Sequence, residues 1–257
     1  MKHVRLDKST GFSLIELIVV IVILSILATF GVQFIVTSTQ NYEQTQTRAL
    51  LVNTGRQALE QMTRRLRGAL PYSVRLTNSG ACIQFLPIAS GGTYLTLVPD
   101  HANGALGSAT IAVAPHMAEF GTARWVSIGA LAAAELYGPG GSLQGLSAHS
   151  TNQLALTGSK IWLRNSINRR FYLVDNPQAF CVVNNQLRFY SDQSIAAGAV
   201  DLTAPSVLMA NHVLSTAPFA LTQGSENRNT LVLIQLAVLG GSESVDFQQQ
   251  VMIRNVP

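Results

Sequence analysis

From Leu17 to Tyr42 the chain carries no Asp, Glu, Lys or Arg, and a single carboxylate, Glu16, stands just before this run in "GFSLIELIVVIVILSILATF". No other stretch constrains the fold as strongly. A helix rises about 1.5 Å per residue, so about 20 residues cross the hydrocarbon of a bilayer. Residues 17–36 meet that length, with Ser25, Thr29 and Gln33 as mild interruptions. Residues 1–10 are short and basic through Lys2, Arg5 and Lys8, against one acid, Asp7. Positive charge before a span places the N-terminus in the cytoplasm and the bulk of the chain outside. A cleaved secretory signal would need an apolar core of about 7–15 residues closed by a small-x-small site. Here the core is longer and no Ala-x-Ala closes it. A plain signal anchor is the simpler alternative, yet such spans rarely begin with a carboxylate.

The order of residues favours another reading. A basic leader, Gly11, Phe12, then Ser13-Leu14-Ile15-Glu16-Leu17-Ile18 and a long apolar run resembles the type IV prepilin signature. In that family a membrane peptidase cuts after the glycine, methylates the new N-terminus and leaves the apolar segment in the mature protein. The resemblance implies cleavage between Gly11 and Phe12, with Phe12 N-methylated and residues 1–11 removed as a leader. It also implies a role for Glu16. An unpaired carboxylate among packed apolar helices costs several kcal/mol. Once Phe12 is the N-terminus, its amine on one subunit is a natural partner for the Glu16 carboxylate of a neighbour, an attraction strengthened by an apolar surround. The alternative is a helix-terminal acid favoured by the macrodipole, which by itself explains nothing about assembly.

Beyond Val36 the run turns polar. Ala49, Val52, Leu59, Met62, Leu66 and Leu70 recur at helical spacing, Glu60 and Arg64 stand four apart, and Pro71 supplies a stop. One helix over 12–70 is expected, about 88 Å long at the standard rise. Residues 12–36 form its transmembrane half and 37–70 its amphipathic half. Gly31 and Gly55 are its weak points, each about 1 kcal/mol less favourable than Ala. No proline lies between Phe12 and Leu70, unlike many major pilins.

From Ser73 the period changes to two. "SVRLT", "ACIQFL", "TYLTLV", "RWVSI", "QLALT", "KIWLR", "RFYLVD" and "QLRFY" read as short strands broken by Gly, Asn, Pro and Ser. Val245, Phe247, Gln249, Val251 and Ile253 share one parity, and "GGSES" joins this run to "TLVLIQLAVL" as a hairpin packed on the helix. Residues 100–158, rich in Gly, Ala and Ser, read as loops and weak strands. The expected fold is α+β and type IV pilin-like, a long N-terminal helix on an antiparallel β-sheet head spanning 71–257.

Two cysteines, Cys82 and Cys181, are too few for a structural zinc site, leaving one long-range disulfide or two buried thiols. With the head outside the cytoplasm and both residues in strand-like runs, a Cys82–Cys181 disulfide is expected. Its loop of about 100 residues would contribute about 4–5 kcal/mol in the chain-entropy model. The net charge of +4 comes from 17 basic and 13 acidic residues, and loss of the leader removes two units, so bulk charge does not favour nucleic acid. Arg64, Arg65 and Arg67, like Arg164, Arg169 and Arg170, read as solvated faces without interleaved stacking aromatics. The five histidines (His3, His101, His116, His149, His212) form no metal motif, and no nucleophile elbow, Walker loop or calcium loop is present. No catalytic residue, metal or cofactor is expected. The "YGPGGSLQG" stretch reads as a surface turn.

The length and large head, with "RRFYLVDNPQAFCVVNNQLRFY" and "VMIRNVP", resemble minor pilins of the mannose-sensitive haemagglutinin (MSHA) type and the J-type pseudopilin of type II secretion. That resemblance implies a structural subunit acting in initiation or tip assembly. Its partners would be prepilin peptidase, other major and minor pilins and the inner membrane, with the N-terminus cytoplasmic, the head periplasmic and the final location a pilus or pseudopilus. A signal-anchored periplasmic binding module or enzyme is the alternative of another class.

Overall fold

The computed structural model describes residue 11 and residues 13–115, 123–138, 141–225 and 228–254. The basic leader, Phe12, His116, the Pro139-Gly140 pair and the end of "VMIRNVP" lie outside these residues. Two compact units are present, Met1–Ala49 and Leu50–Pro257. A single helix, α1 (Leu14–Arg67), contributes to both. It ends three residues short of the expected 70: Gly68 and Ala69 bond back to the carbonyls of Arg65 and Leu66, tightening the last turn. The Leu70 amide then donates to the Leu86 carbonyl at 2.7 Å, which draws the chain into the head.

Fourteen strands follow among the described residues: β1 (Arg75–Thr77), β2 (Cys82–Phe85), β3 (Ile88–Thr93), β4 (Ser108–Ala112), β5 (Trp125–Ser127), β6 (Leu143–His149) and β7 (Gln153–Lys160). The series continues with β8 (Arg170–Val174), β9 (Gln178–Val183), β10 (Gln186–Tyr190), β11 (Ser206–Ala210), β12 (Phe219–Thr222), β13 (Thr230–Gly240) and β14 (Glu243–Ile253). They form three antiparallel sheets, ordered β1-β2-β9-β10-β11, β12-β13-β14 and β3-β8-β5-β6-β7-β4. This is the α+β, pilin-like arrangement of one long N-terminal helix and antiparallel sheets.

The first two sheets share one core with the helix. Ala58, Leu59, Met62 and Leu66 of α1 pack with Ile83, Phe85, Phe180 and Phe189 of the five-stranded sheet. The same cluster takes in Val232, Ile234, Leu236, Val251 and Ile253 of the three-stranded sheet. The β14 alternation holds residue by residue, its odd positions turned inward and its even positions exposed. The hairpin loop is shorter than "GGSES", because Gly240 pairs with Glu243 and only Gly241 and Ser242 turn. Gly241 sits at φ +60°, a conformation that costs a glycine nothing.

The six-stranded sheet closes on itself. Tyr94 bridges to Val113, with Leu95 N donating to Ala112 O and Ala114 N to Thr93 O, each at 2.9 Å. Those bonds join β3 to β4, the two ends of the sheet, and make a small barrel filled by Ile111, Val126, Leu154, Trp162, Phe171 and Leu173. Its strands run from β3 to β8, so the barrel is inserted between β2 and β9, which are neighbours in the five-stranded sheet. Two expected strands are absent here. "TYLTLV" contributes only the last residue of β3, the Tyr94 bridge and the Leu95 amide bond, and "KIWLR" leaves β7 at Lys160 so that Trp162 can plug the barrel. Conversely β3, β11 and β12 have no counterpart among the expected strands, and β4 and β6 are the weak strands expected within 100–158.

Candidate assembly and processing site

The N-terminal unit exposes its apolar side chains: Leu14 through Val36 are uncovered, and the most apolar window of α1 has a mean hydropathy of 2.8. By length and composition α1 is long and apolar enough to cross a membrane. Its hydroxyls are satisfied within the helix, Ser25 Oγ donating to Ile21 O and Thr29 Oγ1 to Ile26 O, each at 2.7 Å. In hydrocarbon such bonds remove most of the cost of a hydroxyl.

At the head of this helix Ser13 and Glu16 form a reciprocal cap. The Ser13 amide and hydroxyl both donate to Glu16 Oε2 at 3.2 Å, and the Glu16 amide donates to Ser13 Oγ at 3.3 Å. This is the capping box, which pairs two otherwise orphaned amides at a helix start. Its S-x-x-E spacing is the sequence signature of such a box. Both residues are exposed, and Glu16 Oε1 accepts no bond among the described residues. One carboxylate oxygen thus holds the helix end while the other is open to a further donor. Gly11 is exposed, with nothing within 4 Å of where a side chain would begin. Phe12 lies outside the described residues, so its geometry toward Glu16 is not part of this structure.

In the head, Cys82 and Cys181 stand opposite each other on β2 and β9 and are joined by a disulfide, their Cα atoms 4.1 Å apart. Both are fully buried. The arginines divide by environment rather than forming one basic face. Arg65 lies over the Phe189 ring at 4.1 Å, where burial and then Arg64 lower its pKa. Arg164 bonds Glu135 at 2.7 Å and the Gly129 carbonyl at 2.8 Å, and Arg169 donates to the Leu95 carbonyl at 2.9 Å. Arg65 and Arg169 are exposed, as the solvated-face reading expects, while half-buried Arg164 is tied to Glu135 and Gly129. Glu60 and Arg64, expected as a pair, make no ion pair.

Sequence reading passed over two polar anchors. Arg75 stacks on Tyr137 at 3.7 Å and donates to Gln84 and to the Ala197 carbonyl. Burial pushes the Tyr137 hydroxyl well above its usual range, and it donates to the Ser73 carbonyl at 2.9 Å. Asp100, buried at 5% exposure, accepts from Asn165 Nδ2 at 2.6 Å and from the amides of Asn103, Ala102 and Asn165. The Asn165 side chain, then these amides, lower its pKa. Asx geometry of this kind pins the loop after β3 to the segment before β8. Among the described residues no group of three or more His, Cys, Asp or Glu is arranged to hold a metal ion.

A family model described as the prokaryotic N-terminal methylation motif matches residues 6–32. No curated protein and no solved structure matches the chain. The motif supports a type IV pilin-like protein: a pilin or pseudopilin subunit, structural rather than enzymatic, anchored by its apolar helix, processed by prepilin peptidase and assembled with other pilins.

Proposed function

We propose that this chain is a minor pilin of an MSHA-like type IV pilus, acting in initiation or tip assembly after removal of residues 1–11. The carrying observation is an apolar helix whose first turn presents a carboxylate oxygen that accepts no bond among the described residues, four residues beyond Phe12. In this reading the bond between Gly11 and Phe12 is cut, Phe12 is methylated, and its amine meets Glu16 of a neighbour. Residues 12–36 lie in the membrane and then in the filament core, 37–70 continue the helix, and 71–257 form a periplasmic head in which Cys82 and Cys181 oxidise. The inserted barrel supports a specialised, low-copy subunit, because it enlarges the head well beyond a helix and one sheet. Mass spectrometry of the mature N-terminus tests the processing step: N-methyl-Phe12 is expected, and an intact Met1 would leave a signal-anchored periplasmic module instead.

The J-type minor pseudopilin is the second reading, because "RRFYLVDNPQAFCVVNNQLRFY", which maps onto β8, β9 and β10, resembles it as well as the MSHA type. Deletion of the gene separates the two. Loss of surface pili with secretion intact supports the pilus, and the reverse supports the secretion system.

A further inference from the structure

We propose that the free edge of β14 receives an extended strand from a different pilin-like subunit, which lengthens the three-stranded sheet by main-chain pairing. This rests on the reading that the chain assembles with other pilins, and it names the surface and the chemistry of one contact.

The other sheet edges among the described strands are closed or short. The barrel joins its own ends at Tyr94 and Val113. Strand β1 has three residues and lies against β12, and β11 has five with a register shift where it meets β10. Strand β14 differs: eleven residues pair with β13 from Gly240↔Glu243 to Thr230↔Ile253 without a bulge. Proline, lysine and bulges are the usual protections of an exposed edge, and β14 has none of them. Beyond the turn, Asp246 is its single charge.

The direction of the free groups follows from the hairpin. A two-residue loop makes Gly240 and Glu243 a mutually bonded pair, and bonding then alternates along the ladder. The far side of β13 agrees, since Leu239 N donates to His212 O, Ala237 O accepts from Leu214 N, and Gln235 N donates to Pro218 O. Odd residues of β14 therefore bond β13. The amides and carbonyls of Ser244, Asp246, Gln248, Gln250 and Met252 point away from it. On this row the Gln250 carbonyl accepts the Gln249 side-chain amide at 3.1 Å.

This geometry defines the occupant. It is an extended segment without proline at the bonded positions, with one row of apolar side chains beside half-buried Val245 and Phe247 and one polar row beside Asp246, Gln248 and Gln250. A second copy fits poorly. Two antiparallel β14 strands in one sheet are related by a two-fold axis normal to it, which reverses the helix packed on that sheet between copies. Chains anchored in one membrane by the same helix share one direction. Pairing of β14 with the β11 edge of another copy would meet a short strand of shifted register.

The test places p-benzoylphenylalanine at Gln248 of the full chain in its native host, with irradiation followed by sequencing of cross-linked peptides. An adduct on a strand residue of another protein with a prepilin motif is expected. An adduct on a second copy, on a protein without that motif, or on nothing overturns the proposal. Gln248→Pro removes one outward amide and spares the β13 ladder, so association should fall about tenfold while the disulfide and the circular dichroism spectrum persist. Gln248→Val should bind as the parent does; loss in Gln248→Val with binding retained in Gln248→Pro would mean a side-chain contact and sink strand addition. The mature N-terminus is read in the same samples. N-methyl-Phe12 without an adduct removes strand addition alone, whereas an unprocessed chain removes the subunit reading.

Discussion

At the scale of single residues, the cap on Ser13 uses one Glu16 oxygen, Oε2, and the proposed pairing with Phe12 would use the other. The bond network with Ser13 explains why a carboxylate is tolerated at the start of an apolar helix before any neighbour arrives. Glu16→Ala is expected to leave cleavage after Gly11 largely intact and to impair incorporation, read as filament number; a normal count would count heavily against the pairing. Ser13→Ala separates the roles. It removes about 1 kcal/mol of capping and should raise hydrogen exchange in the first turn, with far less effect on incorporation than Glu16→Ala. Asp100 gives a pH signature. Its folded pKa is depressed, so its stabilisation is present in full above the unfolded value of about 3.9 and disappears as pH falls through the lower folded value. Acid titration of the wild type should show this loss below about pH 4. Asp100→Asn should be less stable at neutral pH and flatter in that window; an unchanged acid limb would remove the assignment. The capping box could be read from S-x-x-E. Asp100 could not, because its strongest partner, Asn165, is 65 residues further along and reaches it only once the barrel has closed.

At the scale of elements, Gly55 reverses its sequence meaning. Helix propensity marks it as a weak point, but a Cβ there would fall within the Phe247 ring, which packs on the bare backbone. Gly55→Ala gains about 1 kcal/mol of propensity and incurs an overpacking cost of about 1–3 kcal/mol. The net effect is expected to be destabilising by denaturant melts, with Phe247→Leu relieving the clash in the double variant. A stabilised Gly55→Ala would show that the ring yields freely. The buried face of the second half of α1 is Gly55, Ala58, Leu59, Met62 and Leu66, so small residues at close approach belong to it alongside the larger ones. Periodicity of large apolar residues found Leu59, Met62 and Leu66 and missed the rest, while exposed Ala49 was wrongly included. The C-terminal hairpin was legible because β14 alternates cleanly and a Gly-rich turn joins it to the long apolar run of β13. "TYLTLV" is rich in strand formers yet pairs only through Thr93 at the end of β3, the Tyr94 bridge and the Leu95 amide, since closure of the barrel decides which of its backbone groups find partners.

At the scale of the whole molecule, Cys82 and Cys181 bracket the inserted barrel with a sequence separation of 99. Restricting so long a loop in the unfolded chain contributes about 4–5 kcal/mol. The Cys82→Ala, Cys181→Ala double variant should therefore unfold at markedly lower denaturant than the parent, and a shift worth under about 1 kcal/mol would place the stabilisation elsewhere. The sequence by itself determined the apolar helix, the position of Glu16 behind the Gly11–Phe12 bond, the change to β structure after Ser73 and the existence of the final hairpin. These are local properties, carried by hydropathy, spacing and turn residues. Tertiary structure alone decided that six weak strands close into a barrel around Trp162 and that β14 keeps an open edge, whereas the meeting of β2 and β9 was implied by the expected Cys82–Cys181 disulfide. The physical reason is that backbone groups in a sheet bond to residues distant in the chain. Which strand lies beside which is therefore settled by the packing of the whole molecule, not by any one segment.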